Sequence, residues 1–132
     1  ALVRAAKSRS KLIDGPIYKE DRTNRFYNSN YGTQIEYTSS DGKFYLWEPG
    51  NTHVVKGEWE IRAGTYICYR YPSIVGMNHV INDGEDAFTE CMNQTEWRND
   101  HLESVKGDVF GLADRAEVPR VLTREEEMTL TP

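Results

Sequence analysis

The chain has 132 residues, of which 38% are hydrophobic and 28% are charged, and its formal net charge is -5. This length suits one domain and excludes two of ordinary size. No run approaches the about 18 consecutive apolar residues of a membrane-spanning helix, so we expect a soluble or peripheral protein. The apolar residues concentrate between Phe26 and Trp97, which predicts a compact core flanked by polar segments.

The first 25 residues are basic, whereas the rest of the chain is acidic. This stretch has a net charge of +4, and the remaining residues sum to -9. We expect residues 1–15 to form a basic arm, because Asp14-Gly15-Pro16 breaks any helix and marks the entry to the domain. Such an arm suits an anionic partner, a membrane surface or a neighbouring copy, or it is simply solvated. Its residues expected to contact a partner are Arg4, Lys7, Arg9 and Lys11.

Residues 16–98 carry the signals of an antiparallel β meander. Tight turns separate short β-rich runs, and they fall at Asp41-Gly42, Pro49-Gly50 and Ala63-Gly64. Hydrophobic and polar side chains alternate along the runs, which is typical of a sheet with one packed face and one wet face. We therefore expect a mainly β fold, a small antiparallel meander with irregular N- and C-terminal arms.

The alternation also assigns side chains to faces of the sheet. Ile35 and Tyr37 share one face of their run. Trp59 and Ile61 share one face of a later run. We predict that this second pair is buried against the first pair or against its neighbours in the sheet. The glutamates on either side of Trp59 should lie in water.

The two cysteines fall in separate β-like runs. Cys68 lies in the Tyr-rich run that ends the meander, and Cys91 lies in Ala87–Met92. A bond between them would close a loop of 24 residues and stabilise the fold by about 3 kcal/mol; the alternative is two free buried thiols in a reducing compartment. We expect the disulfide, because a small β core benefits from a covalent link. The start at Ala1 fits a mature chain whose leader was removed, so we expect an exported protein, periplasmic or extracellular.

After Trp97 the sequence turns polar, and we expect residues 99–132 to form an acidic C-terminal arm. Thr123–Met128 predicts a short helix with Thr123 as its N-cap and Glu126 closing a capping box. Opposite charges at the two ends of the chain suit contacts between copies or with a larger complex. The residues of this arm expected to contact a partner are Arg124, Glu125, Glu126 and Glu127.

A series of motifs runs through Gly32–Pro72. It comprises an Ile/Tyr strand, Ser-Asp-Gly, an aromatic-Leu-Trp strand, Pro-Gly-Asn, Val-Val-x-Gly-x-Trp and an Ile-Cys-aromatic-Arg-Tyr strand, followed later by Cys91. This series resembles a family of small exported bacterial proteins of unknown function. The resemblance implies an exported protein with a lipocalin-like or half-barrel sheet and a cystine, and it implies no catalytic residues. The segment after Trp97 lies outside the resemblance.

Motifs that carry chemistry are sparse in this chain. The histidines lie far apart, no HxH, HExxH or CxxC spacing occurs, and there is no GxSxG elbow. Asn82–Asp86 has the oxygen-rich composition of a calcium loop without the EF-hand order of ligands, and we expect a polar turn there. We therefore expect no catalytic residue, no cofactor and no metal, and no enzymatic activity.

The Tyr and Trp residues of the sheet admit three interpretations: core, protein interface, or the mouth of a small-ligand site. Nucleic-acid binding is disfavoured because the sheet is acidic and its aromatics do not alternate with a series of basic residues. We expect a non-catalytic exported accessory or structural subunit that binds other protein subunits, or copies of itself, through its arms. Contact with a membrane surface through the basic arm stays open. The other hypothesis is a lipocalin-like binder of a small apolar ligand.

Overall fold

The structure, a computed structural model, describes residues 20–63, 66–72 and 87–130. The strands are β1 (Arg22–Asn28), β2 (Gly32–Thr38), β3 (Lys43–Trp47), β4 (Val55–Arg62), β5 (Tyr66–Pro72), β6 (Ala87–Asn93) and β7 (His101–Lys106). Helix α1 (Gln94–Asp100) joins β6 to β7, and a 3-10 turn occupies Leu112–Asp114. The prediction of a mainly β, antiparallel fold is confirmed. No helix in the described ranges is long and apolar enough to cross a membrane.

All seven strands form a single antiparallel sheet in the order β6-β5-β4-β3-β2-β1-β7. Strands β1 to β6 are neighbours in chain order, as a meander requires, whereas β7 returns to pair with β1 and places Lys106 opposite Arg22. Helix α1 is the whole connection between the two edge strands. Because a helix of this length spans only about 10 Å, the end of β6 lies near the start of β7. The sheet therefore curls into a half-barrel.

The inner face of the half-barrel carries the first of two hydrophobic cores, which we call the inner core. Its buried members are Phe44, Leu46, Val55, Ile67, Tyr69, Tyr71 and Trp97. Phe44 meets Tyr69 and Tyr71 edge to face, with ring centroids 5.2 and 5.1 Å apart, which is a favoured aromatic geometry. A Cβ atom at Gly57 would lie 2.5 Å from the Phe44 ring, so the packing leaves room for glycine alone at that position.

The second core, which we call the outer core, lies on the opposite face of the sheet beneath the C-terminal segment. Its buried members are Ile35, Tyr37, Trp47, Val54, Leu112, Val118 and Leu122. Backbone hydrogen bonds hold the segment in place, since Val54 N donates to Ala116 O at 2.9 Å and Val118 N donates to Thr52 O at 3.0 Å. Residues 107–130 thus form the outer layer of the domain.

The expectation of a separate acidic arm after residue 98 does not match this arrangement. Strand β7 completes the sheet, and Leu112 and Leu122 are buried, because an extended segment can cover an apolar face without any helical or strand periodicity. The predicted helix Thr123–Met128 is wrong, since the chain turns there and then continues without regular structure. The side chain of Glu126 does reach Thr123, since Glu126 Oε1 accepts hydrogen bonds from the backbone N and the hydroxyl of Thr123 at 3.3 and 3.2 Å.

The register of β3 and β4 corrects the predicted faces of the sheet. The two strands pair so that Trp59 lies on the same face as Phe44 and packs against the inner core. Ile35 and Tyr37 belong to the outer core, so Trp59 does not pack against this pair but against the cluster that includes Phe44 and Leu46 of the neighbouring strand β3. Ile61, near the end of β4, is 42% exposed. The glutamates on either side of Trp59 are exposed, as predicted.

Candidate functional site

A cleft of about 730 Å³ opens on the inner face of the half-barrel, between the sheet and helix α1. The aromatic side chains of its lining are Phe26, Tyr31, Tyr69, Tyr71 and Trp97, and the aliphatic ones are Leu46, Pro49 and Met92. Most of these side chains belong to strands, in which every second residue faces the same side of the sheet. The cleft is therefore built on the rigid part of the fold.

Two buried tyrosines of β5 place their hydroxyl groups against carboxylates of the cleft. The Tyr69 hydroxyl lies 3.5 Å from Glu36 Oε1, and the Tyr71 hydroxyl donates to Glu90 Oε1 at 3.2 Å. Burial raises the pKa of Tyr71, and the nearby charges of Glu90, Glu36 and Glu48 raise it further. The phenol therefore stays protonated at neutral pH and acts as a hydrogen-bond donor.

Helix α1 supplies the wall opposite the sheet. A capping box starts it, because Asn93 Oδ1 accepts from Glu96 N at 2.9 Å while Glu96 Oε1 accepts from Asn93 N at 3.1 Å. The next residue, Trp97, is buried and meets Phe26 edge to face with centroids 5.3 Å apart. The cap thus determines where the helix begins and so directs Trp97 towards the cleft.

Acidic side chains dominate the charge of the cleft. The carboxylates of the lining are Glu36, Glu48, Glu90, Glu96 and Asp100. Glu36 is almost fully buried at 4% exposure, whereas Glu90 and Glu96 are exposed. The cleft therefore has acidic groups both within its wall and at its rim.

One basic side chain, Arg124, lines the cleft among the described residues. Its guanidinium donates through Nη1 to Asn30 O at 2.9 Å and through Nη2 to Ser29 O. Its backbone oxygen accepts from Thr33 N at 3.0 Å, and a Cβ atom at Gly32 would lie 2.7 Å from that oxygen. Arg124 is thus held on the β1–β2 turn by its side chain and by its backbone.

The predicted disulfide between Cys68 and Cys91 is confirmed. The two residues are direct cross-strand partners in the β5–β6 ladder, and a bond there joins an edge strand to the rest of the sheet. Cys68 is buried and Cys91 is exposed. The bond therefore ties down the strand that carries Glu90 and Met92 into the cleft.

The predicted partner-binding residues fall into two groups. Four of them, Arg4, Lys7, Arg9 and Lys11, lie outside the described residues. In the C-terminal group, Glu125 accepts a hydrogen bond from the Tyr27 hydroxyl at 2.9 Å, and Glu126 forms an ion pair with Arg120 at 2.7 Å. Glu127 is exposed. Of this group, Arg124 therefore lies at the cleft, whereas Glu125 and Glu126 bind side chains of the same chain.

Sequence reasoning missed the acidic residues of the cleft. Alternation along β2 turns Glu36 away from Ile35, towards the face that the pattern predicts to be wet, but that face is the inner face of a curled sheet and Glu36 is buried there. A buried glutamate in an alternating run looks the same in sequence as an exposed one. The closure of the sheet by β7 and α1 is the missing information.

Comparison with protein-family models, curated proteins and solved structures returns no match to this chain. The family resemblance of Gly32–Pro72 therefore stays a prediction. In the described ranges, no three His, Cys, Asp or Glu side chains converge as ligands of a metal ion would.

Proposed function

We propose that this protein is a non-catalytic binder of a small ligand, whose apolar part it holds in the half-barrel cleft. One observation carries the proposal: the cleft of about 730 Å³ matches the size of small-molecule sites, which range over about 300–1,000 Å³. Its lining combines aromatic and aliphatic side chains with a few polar groups, a composition that such sites share. Strands also position a site more rigidly than loops do.

The chemistry of the cleft supports binding rather than a reaction. The Tyr71 hydroxyl has a raised pKa and donates its single proton to Glu90, so it is not a phenolate nucleophile. Cys91, which also lines the cleft, is bonded to Cys68 and supplies no thiolate. We therefore assign the cleft the recognition of a ligand without its chemical conversion.

We propose that the protein works outside the cytoplasm, in the periplasm or the extracellular space. The disulfide supports this location, because such bonds form and persist in oxidising compartments. Cys91 is exposed, so cellular reductants would reach the bond in a reducing compartment. The resemblance of the central segment to exported proteins points the same way.

The hypothesis of an accessory subunit with binding arms stays a prediction. The residues of the basic N-terminal arm that it invokes lie outside the described ranges. The residues of the acidic C-terminal arm support it less than expected, since Glu125 and Glu126 contact Tyr27 and Arg120 of the same chain. The cleft, by contrast, is formed by described residues of the sheet and of helix α1, so ligand binding is the function we favour.

Filling the cleft tests the proposal. Naphthylmethanol, a neutral aromatic probe, is titrated into the full-length oxidised protein, and its fluorescence anisotropy is followed. We expect saturable binding with one site, lost in Met92→Trp and in Gln34→Phe because the larger rings occupy the cleft, and kept in Val121→Trp. Val121 is the matched control because it is exposed and lies outside the lining. Failure of the wild-type protein to bind this probe or its charged analogues, or unchanged binding by both cleft variants, would overturn the proposal.

A further inference from the structure

We infer that the cleft selects an organic cation, with an apolar body held among the rings and an ammonium or amidinium group held against the carboxylates of β6 and α1. The inference rests on the proposed function, because it names the ligand class of the same cleft. Three features of the cleft support it: the hydrogen-bond partners of three acidic residues, the binding of Arg124 to backbone oxygens, and the arrangement of aromatic rings.

Three carboxylates of the lining have neutral bonding partners. Glu90 accepts from the Tyr71 hydroxyl, Glu96 accepts from the backbone N of the N-cap residue, and Asp100 accepts from Asn28 Nδ2 at 3.1 Å. None of these three acids forms an ion pair with a described residue. Each carboxylate has about four acceptor positions, so each keeps capacity for a charged donor.

The guanidinium of Arg124 does not neutralise these carboxylates. Both of its terminal nitrogens donate to backbone oxygens of the β1–β2 turn, those of Asn30 and Ser29. The backbone of the same residue is fixed by Thr33, which limits its reach across the cleft. The cleft therefore presents five acidic side chains and a single engaged basic one among its described lining.

The carboxylates of the cleft affect the ionisation of a side chain within it, that of Tyr71. After burial, the largest cause of the raised pKa of Tyr71 is the charge of Glu90, followed by the charges of Glu36 and Glu48. Burial disfavours a charge of either sign, but the part of the effect that comes from the carboxylates favours a positive charge at the same place. It also disfavours anionic ligands, which would meet like charges in a half-enclosed space of low dielectric.

The aromatic rings complete the match to a cationic amphiphile. Tyr31, on the β1–β2 turn, is 60% exposed at the rim, where its ring face can receive a cation. Tyr69, Tyr71 and Trp97 lie deeper and are buried, which suits the apolar body of the ligand. Aromatic rings beside carboxylates are the combination that recognises alkylammonium groups, through charge and through the ring quadrupole.

Three probes of equal shape separate charge from hydrophobicity: naphthylmethylammonium, naphthylmethanol and naphthoate. Each is titrated into the full-length oxidised protein at low salt. We expect the ammonium to bind about tenfold more tightly than the alcohol, and the carboxylate to bind more weakly than both. Raising the ionic strength should weaken the ammonium alone, because partly exposed charges are screened.

Isosteric neutral variants locate the charge. Glu90→Gln and Asp100→Asn should each weaken the ammonium about fivefold and leave the alcohol unchanged. Glu117→Gln is the matched control, since it removes the same charge from an exposed residue outside the lining.

Equal binding of all three probes overturns the cation inference and leaves the proposed function standing. Preference for the ammonium that survives both variants overturns the assignment to these carboxylates. Binding of none of the probes overturns the proposed function itself.

Discussion

The indole of Trp97 stacks on the imidazole of His101, with ring centroids 4.3 Å apart and planes inclined by 23°. Phe26 packs against both rings, at 5.3 Å from each centroid. The imidazole Nε2 lies 3.0 Å from Asn24 Oδ1. These residues come from α1, β7 and β1, so the cluster holds the helix against the strands at the point where the chain passes from the helix into β7.

The His101 imidazole should make stability depend on pH. Burial lowers the pKa of His101 from 6.5 to about 4. Between these values the unfolded chain binds a proton that the folded chain does not, so the free energy of unfolding falls as the pH is lowered. Urea unfolding at pH 7 and at pH 4.5 should show the wild type losing about 2 kcal/mol more than His101→Gln. Equal losses in the two proteins would contradict this.

Truncating Trp97 should cost more than truncating Trp59. Trp97 is buried in the inner core, whereas Trp59 is half-buried at its edge. Replacement of a buried tryptophan by alanine lowers the free energy of unfolding by about 3–5 kcal/mol, and we expect Trp97→Ala to lie in that range and Trp59→Ala clearly below it. Urea titrations of both variants test the order, and a reversed order would show that the core is assigned wrongly.

Loss of the disulfide should destabilise the domain without changing its fold. The bond joins residues 23 positions apart, and the chain-entropy model assigns such a loop about 3 kcal/mol. We expect the double variant Cys68→Ala/Cys91→Ala to have a free energy of unfolding lower by about 3 kcal/mol, seen as a lower urea midpoint, with an unchanged far-UV spectrum. Intact-mass analysis of the unreduced wild type should show no alkylated thiol, and two alkylated thiols would refute the bond.

Removal of residues 123–132 should weaken the domain. Met128 and Leu130 pack against the outer core, and the deletion also removes the ion-pair partner of Arg120. Partial burial of two such side chains is worth about 2 kcal/mol, so the melting temperature should fall, whereas deletion from an arm detached from the domain would leave it unchanged. Glu127→Ala, an exposed position in the same segment, is the control and should melt as the wild type does.

Local signals predicted the meander well. Asp41-Gly42 marks the turn before β3, where Gly42 has φ +83°, and β3 begins at the next residue as the turn chemistry requires. The pairing of Cys68 with Cys91 also followed from two alternating runs. These features depend on residues near one another in sequence, which is the range that turn and periodicity arguments cover.

The closure of the sheet could not be predicted in the same way. Strand β7, HLESVK, is polar, and hydrophobic and polar residues do not alternate regularly along it. Its partner β1 lies more than 70 residues earlier in the chain. The cleft is lined by residues of five strands, a helix, two turns and the C-terminal segment, so its residues come together only when the whole sheet has formed. Glu36 and Glu90 therefore carry no sequence signal that separates them from ordinary surface glutamates.

The pairing of the last strand with the first governs the order in which this protein can mature. While the chain is being synthesised, β1 has a partner on one side only until residues 101–106 emerge, and the outer core stays uncovered until residues 107–130 follow. Contacts between such distant residues form slowly because a long loop must close first. The nascent chain thus exposes an unpaired strand edge and an apolar sheet face for most of its synthesis, and these are the surfaces on which chaperones or unwanted aggregation would act.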